Sequence, residues 1–424
     1  MNWLLAAVVT LAALALAREG AAQTTLYLRT LAEDLPCADP SCQALLLTAT
    51  VDPPAVRSVV DIDDRAPATY VFPDGSLTVG LRDGSTDQAA IVVRSTTTGA
   101  TAVVPAPRAS TLIGNPVRPE VYFNDEQGPL AATFSGIRRL TPPACAAASG
   151  SQAISASADG RRVAYFHQCS AGFSGVVVID AISGATVGTL PGLYGGSLSG
   201  DGTTLYSAYL SYLRRYDAAT GAVLAEVDFS PLAPFMPVVD PNSGAVLVTL
   251  DDLGFGSSVY DANLQFMQSS TAFRNGSWWF DPNRPRAFAL TTHRFNQTLI
   301  LEGVRIVDTA TWTTMLDVPL GPGPRASMVA AFVPAAPGSL TAHVAGSAVS
   351  LSWTEGGPAA AVSRYVLEAG SAPGLNDIFS GLDVGPQPSF AAGGVPAGTY
   401  YVRVRAGNYN GLSAPSNEVV VQVP

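Results

Sequence analysis

The chain has 424 residues, with 33 acidic and 23 basic side chains and a formal net charge of −10. All the basic residues are arginines, which excludes chemistry that needs a lysine amine, such as a Schiff base or a P-loop. An acidic chain without a basic cluster also binds nucleic acid poorly, because phosphate neutralisation supplies most of that affinity. No nucleic-acid partner is therefore expected, and an anionic membrane surface does not suit the chain either.

The N-terminus, residues 1–22, resembles a secretory signal peptide. Its apolar stretch, residues 3–17, is too short to span a bilayer, and the small residues 20–22 offer a cleavage site before Gln23. A retained N-terminal anchor helix is the alternative. No later segment is long and apolar enough to cross a membrane, so we expect an exported protein in the periplasm, at the cell surface or in the medium.

The chain contains four cysteines, Cys37, Cys42, Cys145 and Cys169. An even count in an exported chain favours two disulfides. Pairing each cysteine with its nearest neighbour in sequence is the simplest of the three possible connectivities. A metal site is the alternative, but it needs two-residue cysteine spacing or a nearby histidine motif, and the sequence has neither.

A turn signature recurs along the chain from residue 39 to residue 282. From the second turn onward the spacing is 39 to 44 residues, and an apolar, strand-like run follows each turn. A period near forty made of short strands is typical of an all-β propeller with one four-stranded blade per repeat. The seven turns predict a seven-bladed β-propeller over residues 23–334; they are Asp39-Pro40, Asp74-Gly75, Asn115-Pro116, Asp159-Gly160, Asp201-Gly202, Asp240-Pro241 and Asp281-Pro282.

The repeat from position 195 to 227 shows the pattern most clearly. An inner strand ends in the turn Gly200-Asp201-Gly202, two strands follow, and a second turn at residues 218–221 leads to the outer strand. This pattern resembles the YVTN-type propeller repeats of bacterial surface and exported proteins, which serve as scaffolds more often than as enzymes. We expect residues 327–333 to return and close the N-terminal blade, but the sequence leaves open whether this strand or residues 25–28 lies innermost.

The last part of the chain differs from these repeats. After a Pro/Ala/Gly linker at residues 335–338, residues 339–424 resemble a fibronectin type III domain, an immunoglobulin-like β-sandwich, over their full length. Trp353 stands at the position of the core tryptophan, and Tyr400 stands where the tyrosine corner of the fold belongs. The resemblance implies a spacer or a second contact surface.

The longer connections between strands are expected at the end of the propeller opposite the Asp-Gly turns, around the mouth of the central channel. Aromatic and polar side chains there suit a binding rim for an extracellular or periplasmic protein or a glycan. We therefore expect a bacterial binding or scaffold protein. For Trp278 the alternative is packing between blades. The candidate binding residues are Tyr194, Tyr209, Tyr212, Phe255, Trp278, His293 and Phe295.

The alternative function is a propeller enzyme, a metal-dependent lyase or hydrolase acting on an extracellular polymer or a cyclic ester. Propeller lyases that open cyclic esters use a histidine pair with a metal, and His167 and His293 are the candidates for a general acid–base pair across the channel mouth. The third histidine, His343, is expected to be a solvated strand residue. The sequence has no Gly-x-Ser-x-Gly motif, which disfavours a serine hydrolase.

The densest acidic cluster holds Asp61, Asp63 and Asp64 and is the candidate Ca²⁺ site, since hard cations take several oxygen ligands. The alternative is a solvated turn, because the cluster lacks the glycine and distal glutamate of an EF-type loop. No other cofactor is expected. The periodic aspartates at the blade turns need no ligand, because their carboxylates cap turns through bonds to the backbone.

Overall fold

The computed structural model describes most of the chain, and the described residues form β-strands joined by turns and short connections, with no helix among them. The predicted signal peptide lies outside them. The described residues are 25–30, 45–51, 54–61, 68–82, 86–96, 98–107, 109, 111–125, 128–133, 136–141, 148–169, 172–235, 237–250, 256–270, 278–281, 283–295, 298–323, 326–356, 362–408 and 411–424.

The described residues before position 332 contain twenty-eight strands. In chain order they are β1 Thr25–Thr30, β2 Leu45–Val51, β3 Pro54–Asp61, β4 Ala68–Val71, β5 Leu77–Arg82, β6 Ala90–Ser95, β7 Thr101–Pro105, β8 Leu112–Gly114, β9 Val121–Asp125, β10 Gly128–Thr133, β11 Gly136–Arg139, β12 Ala148–Ala156, β13 Arg162–Cys169, β14 Ser174–Asp180, β15 Thr186–Pro191, β16 Ser197–Leu198, β17 Thr204–Tyr209, β18 Tyr212–Asp217, β19 Val223–Asp228, β20 Val238–Val239, β21 Val246–Thr249, β22 Ser257–Tyr260, β23 Phe266–Ser270, β24 Trp278–Phe280, β25 Arg286–Phe295, β26 Thr298–Asp308, β27 Thr313–Gly323 and β28 Ala326–Ala331.

Within the described part of the chain these strands form seven four-stranded antiparallel sheets. Six of them use four strands that are consecutive in sequence, and we number them sheets 2 to 7, from β4–β7 to β24–β27. The first strand of a sheet contacts the first strand of the next in the pairs β4 and β8, β8 and β12, β12 and β16, and β16 and β20. The sheets are therefore propeller-like blades that meet along their first strands.

Sheet 1 combines strands from two distant parts of the chain, in the order β28-β1-β2-β3. Strand β28 pairs antiparallel with β1, with Thr25 opposite Ala331 and Arg29 opposite Ser327. This confirms that the late strand returns to the N-terminal one. Because β28 also contacts β4, the first strand of sheet 2, the late strand takes the inner place that the sequence left open.

The buried apolar residues lie between neighbouring sheets. Between sheets 3 and 4, for example, Tyr122 and Leu140 pack against Val163, Tyr165 and Ile179 in one cluster. Similar clusters join sheets 2 and 3, 4 and 5, 5 and 6, and 6 and 7. A single blade cannot bury both of its apolar faces, so each sheet is stabilised by the neighbours on either side.

One end of the blades carries the recurring turns, and we call it the turn face. At the first kind of turn, Ser157 Oγ donates to Asp159 Oδ1 at 2.6 Å, and Gly160 N donates to Ser157 O at 2.9 Å. Gly160 has φ 68°, a left-handed conformation that glycine adopts without strain. The turn at residues 199–202 makes the same bonds.

The second kind of turn on this face joins the third and fourth strands of a blade. In it Asp217 Oδ1 accepts hydrogen bonds from Thr220 N at 2.8 Å and from Thr220 Oγ1 at 2.9 Å. The carboxylate of Asp180 is bonded in the same way by Ser183 N and Oγ. The prediction that the periodic aspartates cap turns is therefore confirmed.

Hydrogen bonds also connect the turns of successive blades. Asp159 N donates to Gly200 O at 2.9 Å. Further along, Asn242 Nδ2 donates to Asp281 O at 2.7 Å, and Asn283 Nδ2 donates to Val333 O, just after the closing strand, at 3.2 Å. The repeated turns therefore stabilise the ring of blades as well as the individual hairpins.

The remaining strands form two sheets that share one apolar core. The first sheet has the order β29-β30-β33, and the second has β32-β31-β34-β35, with β36 also paired to β34. Trp353 and Tyr365 meet edge-on in the core at 5.1 Å between ring centroids, and Tyr400 Oη donates to Pro396 O at 2.9 Å. The strands are β29 Gly338–Ala345, β30 Ala348–Thr354, β31 Arg364–Gly370, β32 Phe379–Gly385, β33 Ser389–Ala392, β34 Gly398–Asn408, β35 Gly411–Leu412 and β36 Val419–Val423.

Candidate binding surface

The end of the blades opposite the turn face, which we call the loop face, carries a row of three aromatic rings. The ring centroids of Phe166 and Tyr194 lie 5.6 Å apart, and those of Tyr194 and Tyr209 lie 5.8 Å apart. The ring planes are tilted by 34° and 32°, and both centroid distances lie in the range of interacting aromatic pairs. The three residues come from different segments of the chain and meet where sheets 4 and 5 join.

Strand alternation explains how this row is positioned. Along β13, Val163 and Tyr165 bury toward sheet 3, so the alternate residue Phe166 points to the opposite face of the sheet, toward sheet 5. Tyr209 is the last residue of β17, where that strand reaches the loop face. Tyr194 lies in the connection from sheet 4 to sheet 5 and completes the row between them.

The row is part of a larger exposed area. Tyr194 is 59% exposed, Tyr209 45%, Leu210 67% and Phe235 51%. We call these four residues together with Phe166 the loop-face patch. Phe235 lies at the same end of the next blade, where its backbone N–H donates to Thr249 O at the end of β21. Large apolar side chains left in solvent beside one another mark interaction sites more often than single ones do.

Tyr212 lies next to the patch and is half-buried. It pairs with Tyr209 across the β17–β18 hairpin and with Asp228 on the other side. The guanidinium of Arg214 lies over the Tyr212 ring, 4.9 Å from its centroid, and Arg214 Nε donates to Glu226 at 2.5 Å. The positive charge nearest the patch is therefore already engaged by a ring and a carboxylate.

His167, a predicted catalytic candidate, is buried. Alternation puts it on the same face of β13 as Tyr165, its ring stacks on Phe173 at 6.5 Å between centroids, and it is 1% exposed. Burial lowers the pKa of this imidazole, which favours its neutral form. Such a position between sheets differs from the open one that an acid–base pair across a channel mouth requires. His293 lies in β25 opposite Ile300, and its pairing with His167 stays a prediction.

Trp278 packs between blades. It is half-buried, its ring stacks on Phe280 at 6.5 Å between centroids, and both residues pack against the buried cluster of sheets 6 and 7. This favours the packing interpretation of Trp278 over a place in the binding rim. Phe295 ends β25 opposite Thr298.

The remaining predicted site residues lie partly outside the described residues. Phe255, Asp63, Asp64, Cys37, Cys42 and Cys145 lie outside the described residues, and Asp61 is the last residue of β3. Cys169 belongs to a disulfide, but its pairing with Cys145 stays a prediction, as does the Ca²⁺ site. His343 is exposed on β29, as the sequence analysis predicted.

A buried cluster of polar side chains lies beside the turn face. Asn115 Nδ2 donates to Tyr122 Oη at 2.7 Å, and Tyr122 Oη donates to Glu120 Oε2 at 2.8 Å. Arg138 Nη2 and Arg118 Nη2 approach the same carboxylate at 2.6 and 3.0 Å. Burial raises the pKa of Tyr122 to about 12. Asn115 Nδ2 also donates to Gly160 O of the next blade at 2.9 Å, so the cluster joins two blades, and its buried members satisfy one another.

Two features are absent from the described residues. No group of three or more His, Cys, Asp or Glu side chains in this part of the chain is placed to hold a metal ion. None of these residues forms a helix of the length and hydropathy that a membrane span requires.

The sequence analysis did not select Phe166, Leu210 or Phe235 for the site. Leu210 carried a signal: it begins a two-residue turn between Tyr209 and Tyr212, where hairpins usually have Gly, Asn or Asp. Phe166 and Phe235 lie in connections that the sequence predicts at the channel mouth, but their position relative to the hairpin depends on how the blades assemble.

Comparison with known proteins gives remote likenesses only. No protein-family model matches the chain, and no curated protein matches it. Among solved structures, the β-propeller domain of Cps50 (Swd1) from Myceliophteria thermophila is 9% identical with a TM-score of 0.45, over 58% of this chain and 87% of that one. TolB from Acinetobacter baumannii is 15% identical with a TM-score of 0.40, over 74% of this chain and 67% of that one.

AztD from Citrobacter koseri is 10% identical with a TM-score of 0.42, over 73% of this chain and 98% of that one. TM-scores this low carry no argument about function. The strand pairing within the sheets and the contacts between their first strands make them propeller-like blades.

Proposed function

We propose that this protein is an exported bacterial binding protein without enzymatic activity, whose loop-face patch recognises a protein or glycan partner. In this proposal residues 23–334 form a seven-bladed β-propeller, and residues 339–424 form a fibronectin type III domain that acts as spacer or second contact. The disulfide at Cys169 supports export, because disulfides persist in oxidising compartments.

The observation that carries the proposal is the exposure of the patch. Most described tyrosines of the blades are buried between sheets, as Tyr165 is at 0% exposure, whereas Tyr194 and Tyr209 are 59% and 45% exposed. Aromatic rings buried in an interface supply much of its binding energy. The patch contributes little to the core, so recognition of a partner is the use that best explains it.

The C-terminal sheets support a role as a fixed extension of the propeller. Asn408 Nδ2 donates to Phe332 O at 2.7 Å, and Asn283 Nδ2 donates to Val333 O at 3.2 Å. These bonds hold the connecting segment from both sides, at the turn face. The loop-face patch at the opposite end of the blades is therefore clear of this module.

The test is binding by the full chain to envelope extracts and to a glycan array. We expect Tyr194→Ala and Tyr209→Ala to abolish the binding that the wild type shows. Phe266→Ala is the matched control, because Phe266 is an aromatic residue 61% exposed on the outer strand of sheet 6, away from the patch. Unchanged binding in both tyrosine variants would rule out the loop-face patch as the binding surface.

A further inference from the structure

The hairpin between β17 and β18 has an unusual tip. Tyr209 pairs directly with Tyr212, so the turn consists of Leu210 and Ser211 alone. Leu210 has φ 54°, a left-handed conformation that leucine adopts only with strain. Glycine or asparagine would occupy this position at lower cost.

The other positive-φ residues show why Leu210 is exceptional. Among the described residues, the non-glycine residues with positive φ are Leu210, Leu264, Trp312 and Ser339. Leu264 and Trp312 are 4% and 3% exposed, so burial of their large side chains offsets the strain. Ser339 is exposed, but its side chain is small and polar. Leu210 is 67% exposed and gains no such compensation within the chain. Strain of this kind concentrates at functional sites.

The surroundings of Leu210 indicate what it contacts. Tyr209 precedes it in the hairpin, and Tyr194 and Phe235 are exposed at the same end of the blades. A negative charge lies close to the hairpin tip: Asp228 is opposite Tyr212, and Ser230 Oγ, which donates to Asp228 Oδ1, lies 3.0 Å from Ser211 Oγ, next to Leu210. Hydrogen bonds from Ser230 Oγ and N lower the pKa of Asp228. The patch is therefore apolar, with one carboxylate at its edge.

We infer that Leu210 is the anchor with which the loop-face patch docks into an apolar pocket of a protein partner that carries a basic group facing Asp228. An aliphatic side chain offers a glycan neither a ring face nor a hydrogen bond, so the strained leucine favours a protein over a glycan. A second copy of the chain fits less well, because two molecules of net charge −10 would repel each other. This inference rests on the proposed function and narrows it to one class of partner.

The first experiment identifies the partner by photo-crosslinking. The full chain carries p-benzoylphenylalanine in place of Tyr194, an aromatic residue of the patch, so that Leu210 is kept, and it is irradiated in the envelope of its bacterium. The control carries the same group at Ile182, which is 68% exposed in a turn-face loop. We expect one protein to crosslink at position 194 and not at 182. Capture of a second copy, or of no protein, would overturn the inference.

The second experiment measures the affinity of the purified captured protein for the full chain. Leu210→Gly should weaken binding about tenfold or more, because the apolar anchor is lost. Leu210→Met keeps a side chain of similar volume and should stay within about threefold of the wild type. An affinity unaffected by Leu210→Gly would contradict the anchor role.

The third measurement separates binding from folding. Leu210→Gly should raise the urea midpoint of unfolding, because glycine adopts the positive φ without strain. A structural role would lower the midpoint instead. If Tyr194→Ala weakens binding and Leu210→Gly does not, only the anchor role fails. If neither weakens it, the proposed function fails as well.

Discussion

At the turn face, carboxylates, amides and glycine backbone N–H groups form hydrogen bonds within the protein. At the loop face, by contrast, large apolar side chains are exposed to solvent. The turn at Ser157 and Asp159 is bonded internally and to the next blade. Tyr194 and Leu210, by contrast, are 59% and 67% exposed. The turn face therefore stabilises the assembly of blades, and the loop face is available for recognition. Substitutions at the two ends should have correspondingly different effects.

Among substitutions at the turn face, Gly160→Ala is expected to cause the largest loss of stability. Gly160 has φ 68°, and a Cβ there would collide with Asn115 Oδ1 and lie 2.9 Å from Val117 Cβ. We expect the free energy of unfolding in urea to fall by about 3 kcal/mol, from backbone strain and a steric clash between blades.

Gly192→Ala is the matched control on the loop face. Gly192 has φ 76°, but a Cβ there would have no heavy atom within 4 Å. Strain alone should cost about 1 kcal/mol. Equal losses in the two variants would show that contacts between blades at the turn face add nothing to stability.

Asn115→Ala should have the next largest effect. The Asn115 side chain is buried, accepts bonds from Val117 N and Arg118 N, and donates to Tyr122 Oη and Gly160 O. Its removal leaves buried groups without partners and should lower the free energy of unfolding by about 2 kcal/mol. Asn263→Ala, at an exposed position, should change it by less than about 0.5 kcal/mol.

Acidification should lower the stability by a smaller amount, through protonation of carboxylates at the turn face. Hydrogen bonds from the Ser183 backbone N–H lower the pKa of Asp180, and those from Thr220 lower the pKa of Asp217. Because the folded pKa lies below the unfolded value of about 3.9, the stabilisation is complete above that pH. It is lost as the pH falls through the folded pKa.

The corresponding measurement is urea unfolding from neutral pH to below the unfolded aspartate pKa of about 3.9, where the stabilisation is lost. The double variant Asp180→Asn, Asp217→Asn should be less stable than the wild type at neutral pH and should lose less stability on acidification. Identical pH profiles for the two proteins would contradict a role of these carboxylates in stabilising the turns.

The two faces also differed in how far the sequence predicted them. The turns were predictable because their chemistry is local: Asp217 and Thr220 bond within one short turn, and Asp180 and Ser183 repeat the pattern in sheet 4. The loop-face patch was only partly predictable. Phe166, Tyr194 and Tyr209 come together through the packing of sheet 4 on sheet 5, which depends on long-range contacts.

Two further residues show the same limit. Trp278 and Trp279 are adjacent, so alternation alone could not decide which ring packs between the blades and which points elsewhere. Asn115 was identified as a turn residue, but its bond to Tyr122 and the link from there to Glu120 depend on the assembled blades. Leu210 could have been found from the sequence, since a two-residue hairpin turn without Gly, Asn or Asp is itself unusual.

The most direct test of the difference between the two kinds of tyrosine needs no partner. It compares the free energies of unfolding of Tyr194→Ala and Tyr165→Ala, which remove the same side chain from the loop-face patch and from the interface between sheets 3 and 4. We expect Tyr165→Ala to cost about 3 to 5 kcal/mol and Tyr194→Ala less than about 1 kcal/mol. Comparable losses in the two variants would mean that Tyr194 is a packing residue and that the loop-face patch is not kept for a partner.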